Sequence, residues 1–259
     1  MATKLFSSPV FGPVQSRRFG VSLGINLLPA DGKICSFDCI YCECGLNKKT
    51  QTKSGFPEKT HVIEVLSLKL ASMSEEGELP DVITFAGNGE PTLHPDFLWI
   101  IQETVRIRDT YAPNCEISVL TNGSRIIKED VFKALLLVDN NCIKLDTVDK
   151  EYIDRVDCPK GDYNLNDIID KMKAFGKDCI IQTMFVQGEV DGFNVDNTRD
   201  YYVTPWINTL QEINPKKVMI YTIDRETPSK GLQKASKAIL DSIADRVRKE
   251  TGLEVDVSY

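Results

Sequence analysis

The chain has 259 residues, 42% of them apolar and 27% charged, with a formal net charge of −7. That length supports a buried core, and the acidic balance argues against a generic nucleic-acid binder, which carries a basic excess. The longest apolar stretches are too short to cross a bilayer. The first residues show no apolar leader, and eight cysteines in an unexported chain do not read as a disulfide framework. A cytoplasmic setting is expected.

After a Pro/Gly-rich opening at 7–12, the first strand is expected over 19–28, stopped by Pro29, Asp31 and Gly32. A cysteine-bearing loop follows. A polar segment to Pro57 then leads to a helix over 62–72, apolar at Val65, Leu66, Leu68 and Leu70. A short strand over 81–86 ends at Gly87-Asn88-Gly89-Glu90-Pro91, followed by a helix over 95–106. The alternation continues with strand 116–120, ending at Thr121-Asn122-Gly123, and helix 128–137. Strand 142–145 ends at Asp146 and precedes helix 164–175. Strand 179–186, ending at Gln187-Gly188, precedes helix 206–213. Strand 217–222, ending at Asp224-Arg225, precedes helix 234–249 and a short final strand over 253–257.

Apolar strands alternating with helices imply parallel βα units joined by right-handed crossovers. Six units without repeat or low-complexity linker predict an α/β fold. The expected form is a partial (β/α)6 barrel with parallel strands, one domain over 1–259. In parallel α/β folds the working groups gather at the carboxyl ends of the strands. The cysteine loop, the glycine–glutamate–proline run, the Thr121-Asn122-Gly123 turn, Asp146 and Asp224-Arg225 all follow expected strand ends. Randomly scattered polar motifs do not keep that phase.

Cys35, Cys39 and Cys42 form a C-x3-C-x2-C triplet in the first loop. Thiolates this close cannot all pair as disulfides but can face one centre, and as soft ligands they favour zinc, copper(I) or iron–sulfur clusters. Three ligands leave one iron of a cubic four-iron cluster open to an outside ligand. Zinc is the alternative, because Cys44 completes a four-thiolate set, although structural zinc sites usually gather two separated ligand pairs. Outside that alternative Cys44, like Cys115, Cys142, Cys158 and Cys179, reads as a small buried apolar residue rather than a ligand.

The triplet, with Tyr41 directly before its last cysteine, and the Gly87–Pro91 run resemble the radical S-adenosylmethionine (SAM) superfamily. The resemblance implies a 4Fe–4S cluster on Cys35, Cys39 and Cys42 whose open iron chelates the amino and carboxylate groups of SAM. It implies an enzyme that reductively cleaves SAM to methionine and a 5′-deoxyadenosyl radical, which abstracts hydrogen from a substrate. Flavodoxin or ferredoxin is the implied electron donor. Carried onto this sequence, the cofactor contacts are Asn88, Gly89 and Glu90 at the SAM ammonium, through backbone carbonyls and the acidic side chain. Tyr41 falls beside the adenine, Asn122 near the ribose, and Asp146 at the ribose or carboxylate. Asn88 stands where the family motif has glycine. Plainer roles compete: a simple turn at residues 121–123, a cap or lysine pair for Asp146, a core aromatic for Tyr41, and a surface or capping role for His94.

The segments Phe11 to Gly20, FAGNGEPTLHP and TIDRETP are similar to one branch of the superfamily. That branch includes the enzymes that build the tricyclic wyosine base on transfer RNA. Those enzymes draw a second cluster from cysteines ahead of the triplet, whereas here the first cysteine is Cys35 itself. The substrate stays open among a small molecule, a protein and transfer RNA, with the acidic balance favouring the first two. Arg17 and Arg18 are candidates for holding a phosphate or carboxylate. Gln182, Tyr221 and Arg225 are placed at the substrate by position alone.

Overall fold

The computed structural model describes residues 5–7, 9–16 and 19–259. In chain order the elements are β1 (Val10–Ser16), β2 (Gly20–Ile25), α1 (Lys59–Glu76), β3 (Val82–Phe85), α2 (Phe97–Tyr111), β4 (Glu116–Thr121), α3 (Glu129–Leu135), β5 (Asn140–Lys144), α4 (Lys150–Tyr152), α5 (Leu165–Phe175), β6 (Ile180–Met184), β7 (Val186–Val190), β8 (Phe193–Asn194), α6 (Asp200–Ile213), β9 (Lys217–Tyr221), β10 (Leu232–Lys234), α7 (Lys237–Thr251) and β11 (Val255–Ser258). One sheet runs β1-β2-β3-β4-β5-β6-β9-β11. Its pairs are parallel from β2 to β11, and β1 adds an antiparallel edge. The sheet curls into a half-barrel. Six strand–helix units, from β2-α1 to β9-α7, make this the expected partial (β/α)6 barrel.

Alternation along each strand divides the sheet into two faces. Leu23, Ile25, Ile83, Phe85, Ile117, Val119, Ile143, Ile181, Val218 and Ile220 pack outward in the main core with the helices. The helices meet them with stripes at helical spacing, such as Val62, Leu66, Leu70 and Met73 on α1 and Leu240, Ile243, Ala244 and Val247 on α7. The opposite face of the strands turns into the half-barrel, where Cys142, Ile180 and Met219 pack with Phe19 and Leu120.

Four strands were not expected. β1 contains Gly12 and Pro13, which argue against a central strand but are tolerated on an edge. β7, β8 and β10 form a separate small antiparallel sheet. The apolar run 179–186 reads as one strand, yet the chain leaves the main sheet after Met184. α6 begins at Asp200 rather than at residue 206 and carries Pro205 inside it. The carbonyl that Pro205 leaves without its helical donor belongs to Tyr201, which is 69% exposed and so lies within reach of water. Among the described residues no helix is long and apolar enough to cross a membrane.

Candidate active site at the carboxyl ends of the strands

The loop after β2 is held from three sides. Ile34 pairs with Gly89: its N–H donates to the Asn88 carbonyl at 3.0 Å, and its carbonyl accepts from Glu90 N–H at 3.1 Å. On another side, Asp38 N–H donates to the Asp157 and Cys158 carbonyls (3.1 and 3.0 Å), and Ile40 N–H to the Val156 carbonyl (2.9 Å). This stitches the chain between the cysteines to a π-turn at Ile153–Asp157. From within the loop, the Asn47 amide donates to the carbonyls of Cys35 and Phe37 (3.4 and 3.0 Å). Cys35, Cys39 and Cys42 therefore sit on a backbone braced by the end of β3 and by the π-turn after α4.

Burial pushes the Cys35 thiol up to about 12, with the Glu90 charge adding to it, and burial raises Cys39 well above the usual thiol range. Cys42 is pulled down to about 6, first by the Cys44 thiol bonded to it and further by the charge of Lys33, against the effect of burial. The Cys44 thiol also lies 3.3 Å from the Gly87 carbonyl, so its hydrogen-bonding role is one of support. Lys33 was not singled out from sequence. Its side chain is 1% exposed, and its Nζ donates to the Gly45 carbonyl at 2.8 Å. Burial alone lowers its pKa, but Cys42, Cys35 and Cys39 outweigh that and keep it charged. The signal available was a lysine two positions before Cys35.

The expected cofactor residues Asn88, Gly89, Glu90 and Asn122 come together around Cys35, mainly by bonding to one another and to the chain. Asn88 is fully buried. Its amide donates to the carbonyls of Phe6 and Pro29 (3.0 and 2.8 Å) and its Oδ1 accepts from Phe6 N–H (2.8 Å), which ties the N-terminal segment to the loop. Glu90 accepts from Thr92 N–H (3.1 Å), Thr92 Oγ1 (2.6 Å), Thr121 Oγ1 (2.7 Å) and Asn122 N–H (2.7 Å). Three of these donors fall on Oε1 and one, Asn122 N–H, on Oε2, so Glu90 locks the end of β3 to the end of β4 while Oε2 keeps room for a further donor. Burial nonetheless raises its pKa. The Asn122 amide donates to Ser36 Oγ at 2.9 Å and reaches Cys35 Sγ at 3.6 Å.

Tyr41 and Asp146 also meet. The Tyr41 hydroxyl donates its one proton to Asp146 and lies 3.2 Å from Asp157 Oδ1. The Lys144 ammonium bonds Tyr41 and Asp146 and lies 2.8 Å from Asp157. Asp146 Oδ1 accepts from Met184 N–H at 2.8 Å. Of the roles open to Asp146 in the sequence, the lysine pair is the one this geometry realises. Lys144 and Asp157 had no role assigned from sequence, although strand alternation from Cys142 turns Lys144 inward. One cation faces two buried carboxylates, and burial, helped by the Asp146 charge, lifts Asp157 to about 7 against the pull of Lys144.

The sign of the consequence follows. Between pH 4 and 7 the unfolded chain has released this proton while the folded chain keeps it, so stability falls as pH rises through that window and levels above it. Urea unfolding at pH 5 and pH 8 is expected to show Asp157→Asn gaining on wild type with rising pH. An unchanged difference between the two proteins means that Asp157 titrates normally.

A cavity of 560 Å³ opens inside the half-barrel, lined by Tyr41, Cys42 and Glu43, by Thr84, Ala86 and Leu120, and by Met184 and Tyr221–Arg225. Phe6, Phe11 and Phe19 form another part of its wall. Tyr221 and Arg225 are thus at the cavity as expected, whereas the Gln182 amide donates to the Cys142 carbonyl at 3.1 Å and is not among the lining residues. His94 takes the capping role: its Nδ1 accepts from Asp96 N–H at 3.1 Å, which leaves Nε2 to donate to the Pro57 carbonyl at 2.9 Å. Cys115, Cys142 and Cys179 are buried as expected, and Cys158 is half-buried. Arg17 and Arg18 lie outside the described residues.

The family model described as the radical SAM superfamily matches residues 31–193, the stretch that holds the cysteine loop and the ends of β3 to β6. The chain is 29% identical over 264 residues to the GTPase Obg of Brachyspira hyodysenteriae, covering 98% of this chain but 36% of that protein. This chain has no Gly-x4-Gly-Lys-Ser/Thr phosphate loop. It is 32% identical over 227 residues to a UPF0026 protein of Helicobacter pylori, covering 85% of this chain and 68% of that protein. Among solved structures, TYW1 with a lysine-pyruvate adduct bound shares the fold at a TM-score of 0.63 and 16% identity, over 90% of this chain and 74% of that one.

Proposed function

Because this chain belongs to the radical SAM superfamily, a family of enzymes that use a 4Fe–4S cluster and SAM, we propose that Cys35, Cys39 and Cys42 hold the cluster and that the cavity beside Cys42 receives SAM and substrate. The single observation that carries this reading is that Cys42 and Tyr41 form part of the wall of a 560 Å³ cavity at the carboxyl ends of the strands. The donor set fits the group. Three thiols lie within eight residues, and Lys33 and Lys144 stand close enough to offset thiolate charge. When bound, the cluster supplies the electron that splits SAM into methionine and a 5′-deoxyadenosyl radical.

The chain's own residues do the rest by position. Tyr41 lines this cavity and keeps its assignment to SAM by contact, whereas Asn88, Gly89, Glu90, Asn122 and Asp146 are not among its lining residues and serve the cofactor by fixing the chain around Cys35 and Tyr41. Tyr41, pinned through its hydroxyl, holds the backbone entering Cys42. The apolar part of the wall, Phe6, Phe11, Phe19, Leu120 and Met184, would keep water from a reactive intermediate so that it meets its intended hydrogen. We take residues 1–259 as one domain, in a cytoplasmic setting, with flavodoxin or ferredoxin as reductant.

Anaerobic reconstitution with iron and sulfide, followed by dithionite and SAM, tests the proposal. Roughly four irons per chain and 5′-deoxyadenosine detected by mass spectrometry are expected. Failure to take up iron, or one zinc in its place, removes it.

A further inference from the structure

Arg225 and Glu43 both line the cavity, and the Arg225 guanidinium donates to Glu43 Oε2 at 2.7 Å. Glu43 directly follows Cys42, so this ion pair joins the cysteine loop to the segment after β9. Arg225 is the only cationic side chain among the described residues lining the cavity. Glu43 is also its only hydrogen-bond partner among the described residues. A guanidinium has five N–H donors in a planar fork, and one carboxylate oxygen leaves most of that fork unused.

The other polar lining groups are differently engaged. The hydroxyls of Ser22 and Thr84 bond each other at 2.8 Å. Thr222 Oγ1 accepts from Ala235 N–H at 2.9 Å, and the Thr227 hydroxyl donates to the Ser229 carbonyl at 3.0 Å. Asp224 has Lys234 beside it at 3.4 Å. The Glu43–Arg225 pair is itself easily broken, because its side chains are 36% and 50% exposed and exposed pairs contribute little.

We propose that Arg225 anchors an anionic group of the substrate and that Glu43 occupies this anchor until the substrate displaces it. The ligand class is an organic anion, a carboxylate or phosphate monoester, on an apolar or aromatic body. The head group pairs with the guanidinium fork. The body lies against Phe6, Phe11 and Phe19, of which Phe6 and Phe11 have ring centroids 4.5 Å apart. This assignment rests on the reading of the cavity as the substrate chamber.

Calorimetric titration of the reconstituted full chain, anaerobically and with saturating SAM, tests it with phenyl phosphate, phenylacetate and the cation 2-phenylethylamine. At least one anion is expected to bind wild type, and the tighter of the two identifies the head group. Arg225→Gln weakens it about tenfold, the scale of a lost hydrogen bond to a charged group, and Arg225→Lys falls between. Glu43→Gln tightens it several-fold by freeing the fork. The cation shows no loss in Arg225→Gln. Opposite signs for the two positions distinguish an anchor with a placeholder from a mere clasp. The proposal is overturned if neither anion binds wild type, if Arg225→Gln binds as well as wild type, or if Glu43→Gln weakens binding in step with it. Should Glu43→Gln disturb iron uptake, the Arg225→Lys and Arg225→Gln comparison decides. Iron content and deoxyadenosine are read on the same samples, so absence of anion binding by wild type with its cluster intact removes this inference and leaves the radical SAM reading standing.

Discussion

Cys39→Ala protein, reconstituted anaerobically with iron and sulfide, is expected to carry almost no cluster, whereas Cys44→Ala protein takes up its full complement of roughly four irons. The two residues are five positions apart and both buried, at 9% and 8% exposure, so burial does not separate them. Their partners do. Cys44 has one thiol proton to give, to the Gly87 carbonyl at 3.3 Å or to the Cys42 thiolate that it helps to draw down, and either use is that of a supporting donor. Cys39 lies within the influence of the Lys144 charge on the stretch that the π-turn after α4 holds in place. Loss of Cys44 removes one support for the Cys42 thiolate and costs stability without removing a ligand. Iron and sulfide content, with the ultraviolet–visible spectrum, checks both variants. If Cys44→Ala also comes out colourless, Cys44 belongs to the ligand set and the three-cysteine assignment fails.

The chemistry of this site was legible because it is local. Three thiols in eight residues announce a soft-metal site without any fold, and polar runs in phase with apolar strands announce the rim of a parallel barrel. What those polar residues touch was not legible, because their partners are far away in sequence. Asn88 reads as a contact of the cofactor loop, yet its side chain spans 82 residues to Phe6 and 59 to Pro29. Glu90 reads as an acidic group awaiting an ammonium, yet it accepts from residues on the next strand. Tyr41 and Asp146 were each assigned to SAM separately, and nothing local to either shows that they share Lys144. The missed strands have a different cause. β1 and the small sheet are stabilised by their pairing and by the surfaces that they cover. Gly12 and Pro13 in β1 and Gly188 in β7 point away from strand.

Gly89→Ala is expected to unseat the cysteine loop and to lose both stability and cluster. Gly89 has φ near +137°, and a Cβ built there overlaps the carbonyl oxygen of Ile34. The obstacle is backbone, which no rotamer change can move. Relief requires the Ile34–Gly89 bridge to open, breaking the bonds from Ile34 N–H to the Asn88 carbonyl and from Glu90 N–H to the Ile34 carbonyl, one residue before the first ligand. A non-glycine residue in such a conformation costs on the order of 1–3 kcal/mol, and each lost hydrogen bond adds about 0.5–1.5 kcal/mol. The expected destabilisation is therefore about 2–6 kcal/mol, and Cys35 moves with the strand segment that carried it. Gly55→Ala supplies the control in the same loop, since nothing lies within 4 Å of a Cβ there. It is expected to unfold in urea at the wild-type midpoint and to load iron normally. Wild-type stability and iron content in Gly89→Ala would show that the loop reaches its place without this close approach, and that the glycine in the Gly-Asn-Gly-Glu-Pro run serves a ligand rather than the neighbouring backbone.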